Sequence, residues 1–162
     1  MPASTGWKNR RNDGIRRVKF PGSHMNESIA ALPLPERHRM LTQTGPASAM
    51  GKLLRRFWHP VAVAAKYAPG KARAIKVLGE ELTLYRGESG TPHLVAGRCP
   101  HRRTLLHTGW VQGEEVRCIY HGWKFNGAGE CTEAPAEGAE TASKVKIVSY
   151  PVHEYAGLIF AW

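Results

Sequence analysis

Cys99-Pro100-His101-Arg102 and Cys118-Ile119-Tyr120-His121-Gly122-Trp123 are the two stretches on which the fold turns. Written as spacing they read C-x-H, sixteen residues, then C-x-x-H. Each cluster carries one thiol and one imidazole, and each follows a run of strand-forming residues. Around them lie Val61 to Ala65, Ala74 to Leu78, Glu81 to Arg86, His93 to Ala96, Val116 to Ile119, Lys144 to Tyr150 and Leu158 to Trp162, all rich in β-branched and aromatic side chains. Gly79-Glu80, Gly87-Glu88-Ser89-Gly90 and Gly127-Ala128-Gly129 separate several of these runs as turns. Short strands at close spacing predict a mostly β chain, an antiparallel sandwich or small barrel. The absence of strand–helix alternation argues against a parallel α/β sheet. The two clusters then occupy the tips of two hairpins that converge on one site.

Upstream, Met50, Leu53, Leu54, Phe57 and Trp58 fall at i, i+3, i+4, i+7 and i+8. This spacing predicts a short helix with a core-facing stripe, ending before Pro60. Asn26 to Arg39, with Pro33 and Pro35, reads as a loop or short helical turns. Residues 1–24 hold six basic side chains against Asp13 alone, half of the +10 surplus of 23 Lys and Arg over 13 Asp and Glu. That stretch has no apolar periodicity and reads as a disordered basic tail or start-site extension. Gly22-Ser23-His24-Met25 resembles the residue of a cloning vector, with Met25 a natural start. The expected organisation is therefore 1–24 as extension, 25–59 as leader with a short helix, and 60–162 as the β domain.

Composition narrows the function classes. With 42% hydrophobic and 22% charged residues the chain is globular. No apolar run reaches the roughly 18–20 residues of a membrane span, and the polar N-terminus is no secretory signal. Three cysteines are too few for a disulfide scaffold, and the odd count fits a reducing compartment, which predicts a cytoplasmic protein. The basic tail has Trp7 but no spaced aromatic platform, so a nucleic-acid partner is not expected.

Two cysteines and two histidines satisfy zinc, which is the obvious competitor. Zinc fingers, however, group cysteine with cysteine and histidine with histidine, whereas each cluster here is mixed. The mixture suits two irons with different ligands, Cys99 and Cys118 on one, His101 and His121 on the other. Neutral imidazoles in place of two thiolates make such a centre less negative and raise its potential. With the glycine and tryptophan after His121, the order of ligands resembles the Rieske [2Fe–2S] domain. The extra cysteine of each loop in respiratory Rieske proteins is missing, Thr104 and Tyr120 standing there instead, which points to the oxygenase and ferredoxin branch. Cys131 reads as a buried strand residue.

The resemblance extends through Met40-Leu41-Thr42-Gln43-Thr44-Gly45-Pro46, through Met50 to Val61, and through Tyr120-His121-Gly122-Trp123-Lys124-Phe125. These are similar to phthalate-dioxygenase-like ring-hydroxylating oxygenase alpha subunits. The resemblance implies a small Rieske β-sandwich holding one [2Fe–2S] cluster per chain. It also implies a reductase or ferredoxin as electron donor and a mononuclear iron oxygenase domain as acceptor, in a homotrimer. That iron needs two histidines and a carboxylate, and the remaining histidines offer no such set, so the chain is expected to move electrons without hydroxylating alone. The apolar end Leu158 to Trp162 reads as a truncation of the oxygenase subunit. A stand-alone Rieske ferredoxin is the alternative, against which the leader from Met40 to Val61 argues. The outer pair His101 and His121 is the expected electron exit. Arg102 and Arg103 are candidates to dock an acidic donor, Arg102 alternatively bracing its loop. Tyr120 is a candidate to tune cluster sulfur by hydrogen bonding, and Trp123 is expected to shield the cluster. Trp58, Trp110 and Trp162 read as core or interface residues, and His107 as a surface or packing residue. The family carries glycine where this chain has Arg103, so a turn requiring positive φ there would strain the arginine and reshape the loop.

Overall fold

The computed structural model describes residues 33–162, so the expected extension at residues 1–24 lies outside the described part. The chain divides into two units between Arg37 and His38, and the described residues open with a helix, α1 (Leu34–Thr42). Helix α2 (Ala49–Leu54) follows, and then eleven strands dominate: β1 (His59–Val63), β2 (Lys71–Val77), β3 (Glu80–Arg86), β4 (Pro92–Ala96), β5 (Trp110–Gln112), β6 (Glu115–Arg117), β7 (Lys124–Phe125), β8 (Cys131–Glu133), β9 (Ser149–Tyr150), β10 (Val152–Tyr155) and β11 (Leu158–Ala161). Between β8 and β9 lies helix α3 (Gly138–Lys144), and single 3₁₀ turns occupy Ala64–Lys66 and Leu106–Thr108.

The strands form three antiparallel sheets, ordered β1-β11-β10, β2-β3-β4-β9 and β5-β6-β7-β8. This is the expected mostly β, antiparallel architecture. The β2–β3 hairpin turns on Leu78 and Gly79, both at positive φ (47° and 87°), the two-residue turn whose twist matches that of its strands. In β3 the alternation decides the layering. Leu82 and Leu84 join Leu94, Ile159 and Ala161 in one core cluster, while Tyr85 joins Val95, Val116 and Phe125 in the other. The middle sheet is thus covered on both faces. Each fully buried Leu or Phe contributes about 1.5–3 kcal/mol.

Two expectations fail. The helix spans only Ala49–Leu54, and its stripe does not face the core: Leu53, Phe57 and Trp58 are about half exposed. The buried face is instead Gly51, which lies so close to the carbonyls of Thr44 and Gly45 that no side chain fits there. The run from Lys144 to Tyr150 is not one strand. It leaves α3 and threads between two edges: Val145 accepts from the Cys131 N–H at 3.0 Å, and Val148 accepts from Ala96 at 2.8 Å. Only Ser149–Tyr150 pairs continuously, with β4. Trp58, Trp110 and Trp162 are each about half exposed, which removes the core reading for them; Trp58 and Trp162 meet edge to face at 5.7 Å.

Candidate metal centre

The two clusters form the same hairpin loop twice. In the first, after β4, the Cys99 N–H donates to the Thr104 carbonyl at 2.8 Å and the Arg103 N–H to the Cys99 carbonyl at 3.0 Å. In the second, between β6 and β7, Cys118 donates to Trp123 at 2.8 Å and Gly122 to Cys118 at 3.1 Å. The residue four places past each cysteine is left-handed, Gly122 at φ 74° and Arg103 at 61°. The conditional strain at Arg103 is therefore met. The loop is not reshaped by it, because the same two bonds close both turns.

The loops bring the four side chains together in pairs. Cys99 and Cys118 are 2% and 1% exposed. Burial pushes the Cys99 thiol up to about 11, the N–H groups of His101 and Arg102 that point at its sulfur pull it back, and the neighbouring Cys118 pushes it up. The rings of His101 and His121 lie 4.6 Å apart, with His121 on the exposed side. Trp123, almost fully buried, stacks on His101 at 4.8 Å with planes 13° apart, a shielding position. Tyr120 is exposed, its ring 3.9 Å from that of His121. Together with Arg102 and Thr104 these residues line one narrow recess.

Sequence reasoning missed two residues here. Glu137, just before α3, accepts the Trp123 indole N–H at 2.9 Å and lies 3.5 Å from His101 Nε2. Arg117, the residue before Cys118, donates to the Gly122 carbonyl at 2.8 Å and to Gln112 Oε1 at 2.8 Å, and pairs with Glu133. Adjacency to Cys118 is a signal for Arg117. For Glu137 the sequence holds none, since it is 36 residues from His101. Cys131 is buried in β8 as expected, its thiol donating to the Glu133 carbonyl at 3.3 Å. His107 sits half-buried in the 3₁₀ turn Leu106–Thr108.

The donor set suits an iron–sulfur cluster. His101 Nδ1 is buried without a hydrogen-bond partner, a costly state for a ring nitrogen unless it serves as a ligand. Two buried thiols beside each other, with backbone N–H groups aimed at a sulfur, match the thiolate end of such a centre. Zinc takes its ligands around one ion. The grouping is instead a cysteine pair and a histidine pair.

A β scaffold carrying paired Cys and His loops defines a class, the iron–sulfur electron-transfer domains with mixed ligation. Within it, residues 57–153 match the Rieske [2Fe–2S] domain model, and the chain belongs to the Rieske [2Fe–2S] domain family, whose cofactor is a Rieske-type [2Fe–2S] cluster. It is 39% identical over 132 residues to the 5,5′-dehydrodivanillate O-demethylase oxygenase subunit of a Sphingobium species, covering 78% of this chain and 31% of that protein. It is 31% identical to the phthalate 4,5-dioxygenase oxygenase subunit of Pseudomonas putida, covering 79% and 30%. Among solved structures it is similar to Pseudomonas putida CBB5 NdmA with caffeine, with a TM-score of 0.62, 32% identity, and coverage of 68% of this chain and 33% of that one. Dicamba monooxygenase with non-heme iron and dicamba matches at a TM-score of 0.56 and 32% identity, covering 65% and 32%. The chain spans about a third of the length of these proteins. The expected kinship with phthalate-dioxygenase-like oxygenases is borne out.

Proposed function

We propose that this chain is the electron-transfer portion of a Rieske non-heme iron oxygenase subunit, with Cys99 and Cys118 holding one iron and His101 and His121 the other. The pairing of the four side chains across two equivalent loops carries this reading. A bound [2Fe–2S] cluster supplies one-electron storage. The protein's part is to bury the cysteine pair, to seal one imidazole face with Trp123, and to leave the edge of His121 at the surface as the exit. Relatives that are oxygenase subunits, of whose length this chain spans about a third, support the view that the acceptor is a mononuclear iron in a further domain. A reductase or ferredoxin is the proposed donor, received beside Arg102 and Arg103, which are exposed next to the histidines. One solved relative is a ferredoxin complex of carbazole 1,9a-dioxygenase. We place the protein in the cytoplasm, as part of a homotrimeric oxygenase. Among the described residues no helix is long and apolar enough to cross a membrane.

Anaerobic loading with iron and sulfide tests the reading. The expected product is red-brown, bleaches on reduction, and then shows the low-temperature paramagnetic signal of a Rieske centre. A colourless protein with stoichiometric zinc refutes it.

A further inference from the structure

Glu137 reaches the proposed cluster site from outside both loops. One carboxylate oxygen accepts the Trp123 indole N–H at 2.9 Å, and the other lies 3.5 Å from His101 Nε2. Trp123 is itself stacked on the His101 ring, so carboxylate, indole and imidazole form a closed triangle. The segment bearing Glu137 is fixed: the Gly138 N–H donates to Ala134 at 2.8 Å, and the Thr141 hydroxyl donates to the Glu137 carbonyl at 3.1 Å. Ala134 and Ala142, on either side of it in the chain, are buried. His101 thereby presents Nε2 to a carboxylate and keeps Nδ1 buried and unpartnered on its other side.

We propose that Glu137 is a positioning residue that locks the ring and tautomer of His101 and holds the cluster potential down. The inference rests on the ligand set proposed above. A proton kept on Nε2 leaves the Nδ1 lone pair free for iron, and a carboxylate behind a ligating histidine makes the ring a stronger donor. Its negative charge also favours the oxidised, more positive form of the centre. The two histidines become unequal, because His121 has the Tyr120 ring against it where His101 has a carboxylate.

The test is redox titration of the iron-loaded chain and of Glu137→Gln, which keeps the shape and removes the charge. The potential is expected to rise by at least a tenfold change in the ratio of reduced to oxidised protein, 59 mV for one electron. Iron content stays that of the parent. Trp123→Phe, which removes the indole donor and leaves the carboxylate beside His101, is expected to move the potential by less than half as much. Should Glu137→Gln lose its iron, Glu137→Asp decides instead, its shorter side chain drawing the charge back and raising the potential in the same direction. An unchanged potential in a fully loaded variant overturns the inference alone, as does an equal shift in Trp123→Phe. A parent protein without the Rieske signal overturns the ligand assignment and this inference with it.

Discussion

Replacing Arg103 by glycine is expected to stabilise the domain, although it shortens a side chain beside the proposed cluster. Arg103 holds φ 61° at the loop position where the second loop has Gly122 at 74°. A residue with a Cβ pays about 1–2 kcal/mol in that region. Glycine escapes that cost but loses about 0.4–1 kcal/mol through the greater freedom of its unfolded chain. The net expectation is a gain of about 0.5–1 kcal/mol, which raises the midpoint of thermal unfolding by about 2–4 °C for a domain of this size. The backbone bonds of Arg103, its N–H to Cys99 and its carbonyl accepting from Arg98 at 3.3 Å, are retained. Gly122→Ala is the reciprocal change. It brings the backbone cost and a Cβ 3.2 Å from the Pro135 side chain, so it is expected to destabilise by about 1–2 kcal/mol. Thermal unfolding of the iron-loaded proteins, followed by circular dichroism and by visible absorbance, reads both. If Arg103→Gly lowers the midpoint while Gly122→Ala also lowers it, the two loops are not equivalent and the strain argument fails.

Three further outcomes are expected. His101→Cys should retain iron but shift the potential downward, because a thiolate adds negative charge where a neutral imidazole stood; an unchanged potential removes His101 from the ligand set. Arg117→Met should cost about 1.5–3 kcal/mol in urea unfolding, the range for a hydrogen bond to a charged group, since it leaves the Gly122 carbonyl without the Arg117 guanidinium; a neutral result dismisses Arg117 as a brace. Tyr150→Phe probes pH dependence. The Tyr150 hydroxyl, followed by Arg55, holds the Glu80 carboxyl below its usual range, and burial with Glu80 pushes Tyr150 up to about 12. A depressed carboxyl stabilises above the unfolded value near 4.5 and loses that contribution as pH falls through the folded one. A raised phenol stabilises below 10 and loses it as pH climbs through about 12. The stability gap between parent and Tyr150→Phe should therefore be widest between these limits and close at both ends; a gap independent of pH denies the coupling.

The candidate quartet was legible because ligand chemistry is written in residue type and spacing, which folding preserves. The middle sheet was legible for a similar reason: its runs at Ala74 to Leu78, Glu81 to Arg86 and His93 to Ala96 are rich in β-branched and aromatic residues, and glycine turns separate them. What periodicity cannot say is which partner covers an apolar face. Met50, Leu53, Leu54, Phe57 and Trp58 have helical spacing, yet the close backbone approach belongs to Gly51 and much of the stripe remains at the surface. The segment after α3 misled for another reason. Its β-branched residues do pair, but alternately with β8 and β4 through single backbone bonds, so local propensity was right and continuity was not. Glu137 was invisible because nothing near it in sequence carries its purpose; its partners, Trp123 and His101, are joined to it only by the packing of α3 on β8.

In the proposed centre each iron takes one ligand from each loop, so the geometry of both pairs depends on how the sheet holding the second loop sits against the sheet that leads to the first. That relation is tied at several points away from the metal. The Tyr85 hydroxyl, from the middle sheet, donates to the Glu114 carbonyl at 3.0 Å, and His93 of β4 meets the Glu114 carboxylate at 3.0 Å. The Glu88 N–H, from the β3–β4 turn, donates to Gly113 at 2.8 Å. Beneath both loops Leu106, Val116 and Phe125 are fully buried in the cluster that also contains Cys99 and Cys118. A ligand shell supported in this way has little freedom to rearrange when the charge on the centre changes, the condition under which a functional site keeps its geometry. The same construction explains why single bonds at the loops matter. Arg117 on Gly122 and Glu137 on His101 act on the few atoms that the packed sheets leave adjustable, the second-loop carbonyl and the His101 imidazole.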